Sequence, residues 1–455
     1  MYTATASPPL SEPPRNLPTA QVASRHITQW SLNNGVQCAS WYDERDTVAT
    51  MQLWLRVGSA WERTGETGLA HMLEHMMFRG TRTVPDGEFD ARMEDLGASC
   101  NAMTWLDYTA YMATCSPDVL SEVMALERDR LESLVIDPTA FAAERDVVAN
   151  ERRQVVDGDP DSQIHELLQR MAFGAGTPYG WPTIGWHRDI ERYSARKLRR
   201  FYEQNYAPSR LCVVVVGPVA PEEVSRLVDR HFSNFHREVP LAPEQLPSYR
   251  PAARRRMRLA MSAPRLMMAW PSPGATDPEL PVWHMLADVL GGGDASRLPT
   301  RLEVQDSIAS EASASAASHA NPHLFDIQVR LLPGESATHA ERLVMEELRR
   351  LAAEGPTEQE LARKRLRVEV EDATTLMSTW GRADWMGSSW ISHGDVRRAF
   401  TWADEVAAVT AQQVQSLARR LAVQCPWVLH ALPEAPPTRR SGGGRSGRPD
   451  AGGNA

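Results

Sequence analysis

Met51, Leu53, Leu55 and Val57 alternate with Gln52, Trp54 and Arg56. That period of two is expected of a strand with one face buried and one wet. An apolar helix is predicted at about 69–78, and two strands at about 99–105 and 108–114 flank a short turn. Helices follow at about 117–134, 139–157 and 189–204, and the run LCVVVV at 211–216 reads as a strand buried on both faces. The order then recurs: strands, a helix at 277–290, strands near 307–317 and 322–332, helices to about 421 and an apolar strand at 427–432.

Breaks in the pattern divide the chain. Pro240, Pro243, Pro247 and Pro251 fall within twelve residues that have no clear period, so 236–254 is expected to be a linker. The bodies on either side are 22–235 and 255–432. Prolines crowd residues 1–21, and 433–455 is rich in Pro, Gly, Ser and Arg; neither end can bury enough apolar surface to order itself, and both are expected to be disordered tails. The two bodies echo each other. His71-Met-Leu-Glu74-His75 has a counterpart 213 residues on at His284-Met-Leu-Ala287-Asp288. Pro138-Thr139 opens a helix carrying Glu151, as Pro356-Thr357, 218 residues on, opens one carrying Glu369. A duplicated α+β unit is predicted, with chemistry in the first copy because the second lacks two of its polar groups. Trp380, Trp385 and Trp390, five apart, are expected in core and interdomain packing.

Composition narrows the class. Of 455 residues, 42% are hydrophobic and 24% charged, ordinary globular usage, and no run approaches the roughly 18 apolar residues of a membrane helix. A net charge of −9 without a broad basic face argues against nucleic acid as partner. Five cysteines, scattered and odd in number, argue against a disulfide framework and a Cys-ligated zinc site. Residues 1–21 hold no apolar leader core; the expected location is the bacterial cytoplasm, or the periplasm or an organelle if a leader has been removed.

His71, Glu74 and His75 lie in a helix pattern with Gly65 and Gly68 ahead and Gly80 behind. Side chains four apart share a helix face, about 6 Å apart along the axis, so two imidazoles so placed can grip one metal ion. Glu74 can approach the same ion without ligating it, where a general base must stand to deprotonate a metal-bound water. A catalytic zinc site has three protein ligands and an open vertex, and zinc brings the pKa of water to roughly 7. Glu144 and Glu151, seven apart on one helix face, can supply a third ligand and a partner that holds a histidine in its tautomer; spacing leaves open which is which. The bland alternative is a structural helix with satisfied histidines. Met72, Leu73, Met76 and Met77 imply a partly buried helix, and burying these polar groups unpaired is costly.

Together these features resemble the pitrilysin-type (inverzincin) zinc metallopeptidases. The resemblance covers most of 27–430, in the family's order: Leu32-Asn33-Asn34-Gly35-Val36, Val57-Gly58-Ser59 with Glu62, the run from His71 to Thr81, Asn101-Ala102 on to Tyr111, Glu144-Arg145 with Val148 and Glu151, Pro182 to Gly185, Tyr206-Ala207-Pro208, and Leu290 to Gly293 before Ser296-Arg297-Leu298. It implies two duplicated α/β-sandwich domains, each a mostly antiparallel sheet covered by helices, with the metal only in the first. It implies His71, His75 and Glu151 as ligands of one Zn2+, Glu74 as general base and Glu144 as the glutamate that orients a ligand. The strand at 98–104 would be the edge to which a peptide adds as an extra strand, with Asn101 and Ala102 near the scissile bond. The implied activity is endopeptidase cleavage of oligopeptides or unfolded segments inside a chamber between two such halves.

One departure shapes the expected assembly. Active members carry an Arg and a Tyr, seven apart, late in the opposing half, where they hold the substrate carbonyl and stabilise the oxyanion. The matching stretch here has Trp385 and Ser392, and Arg382 has Ser389 seven beyond it. The expected partner is therefore a homologous subunit that lacks HxxEH and supplies the Arg/Tyr pair, as in the mitochondrial processing peptidase and bacterial paired peptidases. The alternative is a non-catalytic core or assembly subunit of a complex, built on the same fold.

Overall fold

The computed structural model describes residues 26–239 and 247–434. The expected N-terminal tail, the middle of the linker and the C-terminal tail beyond 434 lie outside the described residues. Of the expected linker, 236–239 and 247–253 form no helix or strand, whereas its last residue, Arg254, already opens a strand. No described helix is long and apolar enough to cross a membrane.

The first sheet holds β1 (Ile27–Ser31), β2 (Gln37–Tyr42), β3 (Ala49–Leu55), β4 (Ser99–Thr104), β5 (Thr109–Cys115) and β6 (Leu211–Gly217), in the order β1-β2-β6-β3-β5-β4. The second holds β7 (Arg254–Leu259), β8 (Arg265–Ser272), β9 (Ala309–Ala316), β10 (His323–Leu331) and β11 (Trp427–Pro433), in the order β7-β11-β8-β10-β9. The pairs β2/β6 and β7/β11 are parallel; the other pairings between described strands are antiparallel. Without β1, the two sheets share one topology strand for strand. The helices repeat too: Leu69–Met76 corresponds to Leu280–Gly291, Pro138–Arg152 to Glu358–Leu376, and Pro160–Phe173 to Thr379–His393. The fold is thus α+β and duplicated.

Each sheet packs one face on its own helices. In the first half Met51, Leu53 and Val213 meet Leu69, Leu73 and Val148; in the second, Leu266, Met268 and Ile327 meet Met285, Leu286 and Val344. The other faces are covered by exchange. Helix Thr379–His393, from the second half, lays Ala383, Met386 and Trp390 on Trp54, Ala110 and Val214 of the first sheet. Helix Pro160–Phe173, from the first half, lays Ile164, Leu168 and Met171 on Met267, Ala269 and Leu429 of the second. Full burial of each valine, leucine, isoleucine or methionine among these contributes about 1.5–3 kcal/mol.

That exchange corrects the half-buried reading of β3, whose seven residues are all buried. Trp54 faces the borrowed helix, and its indole N–H donates to Gln52 Oε1 at 2.9 Å. Thr50 Oγ1 donates to Thr379 Oγ1 at 2.8 Å, and the Arg56 guanidinium lies 4.1 Å over the Trp390 ring. Of the three spaced tryptophans, Trp390 is buried and Trp385 packs at the edge of this cluster, whereas Trp380 is exposed. A second correction concerns 189–204. The chain forms two helices there, His187–Ile190 and Ala195–Asn205, because Ser194 starts a new one by accepting the Lys197 N–H at 3.3 Å. Helices Glu88–Asp95, Pro160–Phe173 and Pro221–Phe232 are additions to the sequence reading. The last two carry proline at the first helical position, a start signal with a mechanism.

Candidate metal centre

Helix Leu69–Met76 buries Leu69, Met72, Leu73 and Met76, which turns His71, Glu74 and His75 to the opposite face. Its start is fixed by backbone geometry. Gly68 has φ +89°, and a Cβ there would fall 2.1 Å from Tyr193 Oη, so only glycine fits. Glu62 caps the end, accepting the Gly68 N–H at 2.6 Å and the Ala70 N–H at 2.8 Å, two amides that have no partner within the helix.

Helix Pro138–Arg152 lies across this one and delivers both acids. Glu151 Oε1 is 3.6 Å from His71 Nε2, and its Oε2 is 3.3 Å from His75 Nε2. One ligand atom from each of His71, His75 and Glu151 lies within 4.8 Å of the other two. Donors bound to a tetrahedral zinc at about 2.0–2.1 Å stand about 3.3–3.4 Å apart, so small side-chain shifts close the trio on one ion. Among the described residues no other His, Cys, Asp or Glu joins the group. Just past Glu151 the helix loosens into a π turn at Arg153–Asp157, a distortion common beside functional sites.

Glu144 stands behind. His75 Nδ1 is 2.8 Å from Glu144 Oε1, and Glu144 Oε2 accepts from Arg79 Nε at 2.6 Å. Glu144 thereby holds His75 with Nε2 toward Glu151. Glu74 points to β4, where Thr104 Oγ1 donates to its Oε2. The electrostatics fit a cation. Burial and the His75 ring push His71 down to about 4. Burial opposes charge on His75 too, but its bonds to Glu144 and Glu151 prevail and lift it to about 9. Those same bonds hold both carboxyls below their usual range. Two carboxylates beside the two imidazoles favour positive charge between them, and a divalent cation held there would supply it in place of the His75 proton. Burial raises the Glu74 carboxyl, with the Thr104 bond opposing, which favours proton acceptance near neutrality.

β4 is the edge of the first sheet beside this helix. Ala102 lies on the strand face that packs toward the metal helix, with Thr104 two residues on. Asn101 is exposed on the alternate face, and its Oδ1 accepts the Ala102 N–H at 2.9 Å. Trp385 and Ser392 belong to the helix on the far face of the same sheet, so the sheet separates them from the metal centre. Sequence reasoning gave no role to Thr104, Arg79 or Glu62. Thr104 carries a signal in hindsight, two residues beyond Ala102 and so on the same strand face.

Residues 37–184 match the family described as Insulinase (Peptidase family M16), and 192–368 match the Peptidase M16 inactive domain. A zinc protease of Helicobacter pylori is 34% identical over 206 residues, 45% of this chain and 46% of that one. The mitochondrial-processing peptidase subunit beta of Lentinula edodes is 27% identical over 266 residues, 58% of this chain and 54% of that one. These matches span about half the length of each relative. The crystal structure of a protease from Helicobacter pylori superposes with a TM-score of 0.84 at 23% identity, over 90% of this chain and 99% of that one. With both of its halves matched in sequence and the whole two-sheet architecture matched in space, the chain belongs to peptidase family M16.

Proposed function

We propose that this chain is the metal-bearing subunit of a zinc endopeptidase that cleaves oligopeptides or unfolded segments. The observation that carries the reading is the three-donor cluster of His71, His75 and Glu151 with Glu74 beside it and no fourth ligand among the described residues. A cluster of this kind suits catalysis better than a closed structural site, and the zinc protease names of relatives support the choice of metal. Zinc held there supplies Lewis-acid chemistry, acidifying water and polarising a carbonyl.

The chain's own residues do the rest. Glu74 accepts a proton from the attacking water and hands it to the leaving amine. Glu144 keeps His75 oriented. β4 offers an open edge on which a peptide lies as an added strand, with Asn101 and Ala102 against it near the scissile bond. A homologous subunit without the zinc motif supplies the Arg/Tyr pair, since Trp385 and Ser392 provide neither a cation nor a phenol. A relative that is itself named as a subunit supports this pairing. The same departure favours a second reading, a non-catalytic core or assembly subunit on this fold. Glu74→Gln separates the two: zinc content stays at one per chain while cleavage of a quenched peptide by the paired subunits falls by about 10²–10⁴-fold. Turnover equal to that of the unmodified chain removes Glu74 as base.

A further inference from the structure

Trp385, Ser388, Ser389 and Ser392 stand three, four and seven positions apart on helix Thr379–His393. All four line a cavity of about 390 Å³ in the second half, within the range of about 300–1,000 Å³ typical of small-ligand sites. Its charge is acidic. Asp277, Glu371, Asp372 and Glu405 line it, against Arg398, which pairs with Glu405 at 2.6 Å. His393 is committed elsewhere, its Nδ1 2.9 Å from Ser392 Oγ and its Nε2 3.0 Å from the Ala275 carbonyl.

Asp372 is the group that points to a ligand. It is 4% exposed, lines the cavity, and its Oδ2 is buried with no hydrogen-bond partner. A buried carboxylate without a partner is costly. Burial, then the charges of Glu371, Asp404 and Glu369, push its carboxyl up to about 7, and a cation brought beside it would favour the ionised form. Trp402, another wall of the cavity, joins Trp385 in offering indole surface to the stem and head of an organic cation.

We propose that this cavity binds the ammonium or guanidinium end of a basic peptide side chain, with Asp372 as counter-ion and Trp385 and Trp402 against the aliphatic stem. A peptide as the source rests on the proposed function; cation binding itself does not. The site would hold a basic residue of the substrate at a point remote from the metal centre.

Calorimetric titration of the full chain, without added metal, tests this with three probes: Nα-acetyl-lysine methylamide, its neutral norleucine analogue and 1,5-diaminopentane. The lysine amide is expected to bind at least roughly tenfold tighter than the norleucine compound, and Asp372→Asn to weaken the lysine amide by roughly tenfold or more. Glu371→Gln, at an exposed position, is expected to weaken it several-fold and keeps the test valid if Asp372→Asn misfolds by circular dichroism. Equal binding of the lysine and norleucine compounds, or unchanged affinity in the variants that fold, overturns the proposal. Tighter binding of the free diamine than of the lysine amide overturns the peptide source. No metal or turnover enters the readout, so failure here and failure of the Glu74→Gln test are separable.

Discussion

A histidine can offer either ring nitrogen to a metal, and the partner of the other nitrogen decides which. For His75 that partner is Glu144, which is itself anchored by Arg79. Glu144 is buried and does not join the ligand group, so its effect on a metal passes through His75. Glu144→Ala is expected to weaken zinc binding by about 10–100-fold, measured by competition with a chelator, while leaving the fold intact. Unchanged affinity would mean that His75 is oriented by something else. At this scale the sequence was informative because the chemistry is local. His71 and His75 share a helix face, as do Glu144 and Glu151, so only the meeting of two helices had to be supplied. Which glutamate faces the two ring Nε2 atoms was not local. It depends on which end of helix Pro138–Arg152 crosses the metal helix, and periodicity does not encode a crossing point.

Helix Thr379–His393 shows the same limit for whole elements. Its apolar face, and the outward residues Gln52 and Trp54 of β3, are visible in the sequence, but nothing local says that they cover each other across more than 320 residues of chain. Alternation therefore read the second face of β3 as wet. The contact is close at Gly387, where an added Cβ would fall 1.9 Å from Trp54 Nε1. Two effects compete in Gly387→Ala. A helix interior gains about 0.5–1 kcal/mol on replacing glycine by alanine, whereas overpacking a rigid contact costs about 1–3 kcal/mol. The indole is held by Gln52 and buried on all sides, so the clash prevails. Gly387→Ala is expected to lower the denaturation midpoint, with net destabilisation of about 1–2 kcal/mol by urea unfolding. A stabilised variant would show that the helix can lift off the sheet at little cost.

For the whole molecule, the duplication and the exchange of covering helices bind the halves into one body, with the metal centre on one side of the first sheet and Trp385 and Ser392 on the other. On the proposed reading a single copy then cannot bring Trp385 and Ser392 to its own candidate metal centre, and neither side chain offers a cation or a phenol. The purified chain is expected to cleave a quenched peptide at least about 10²-fold more slowly than when mixed with a homologous subunit bearing Arg and Tyr, the scale of losing oxyanion donors. Full activity from the chain alone would refute the split site. The central claim is that two imidazoles and one carboxylate hold a single zinc and leave it an open vertex. Anomalous diffraction at the zinc edge from zinc-loaded crystals tests it most directly. The account expects one peak, about 2.0–2.2 Å from His71 Nε2, His75 Nε2 and a Glu151 oxygen, with no further protein ligand. A peak elsewhere, or a fourth side chain closing the coordination sphere, would contradict it.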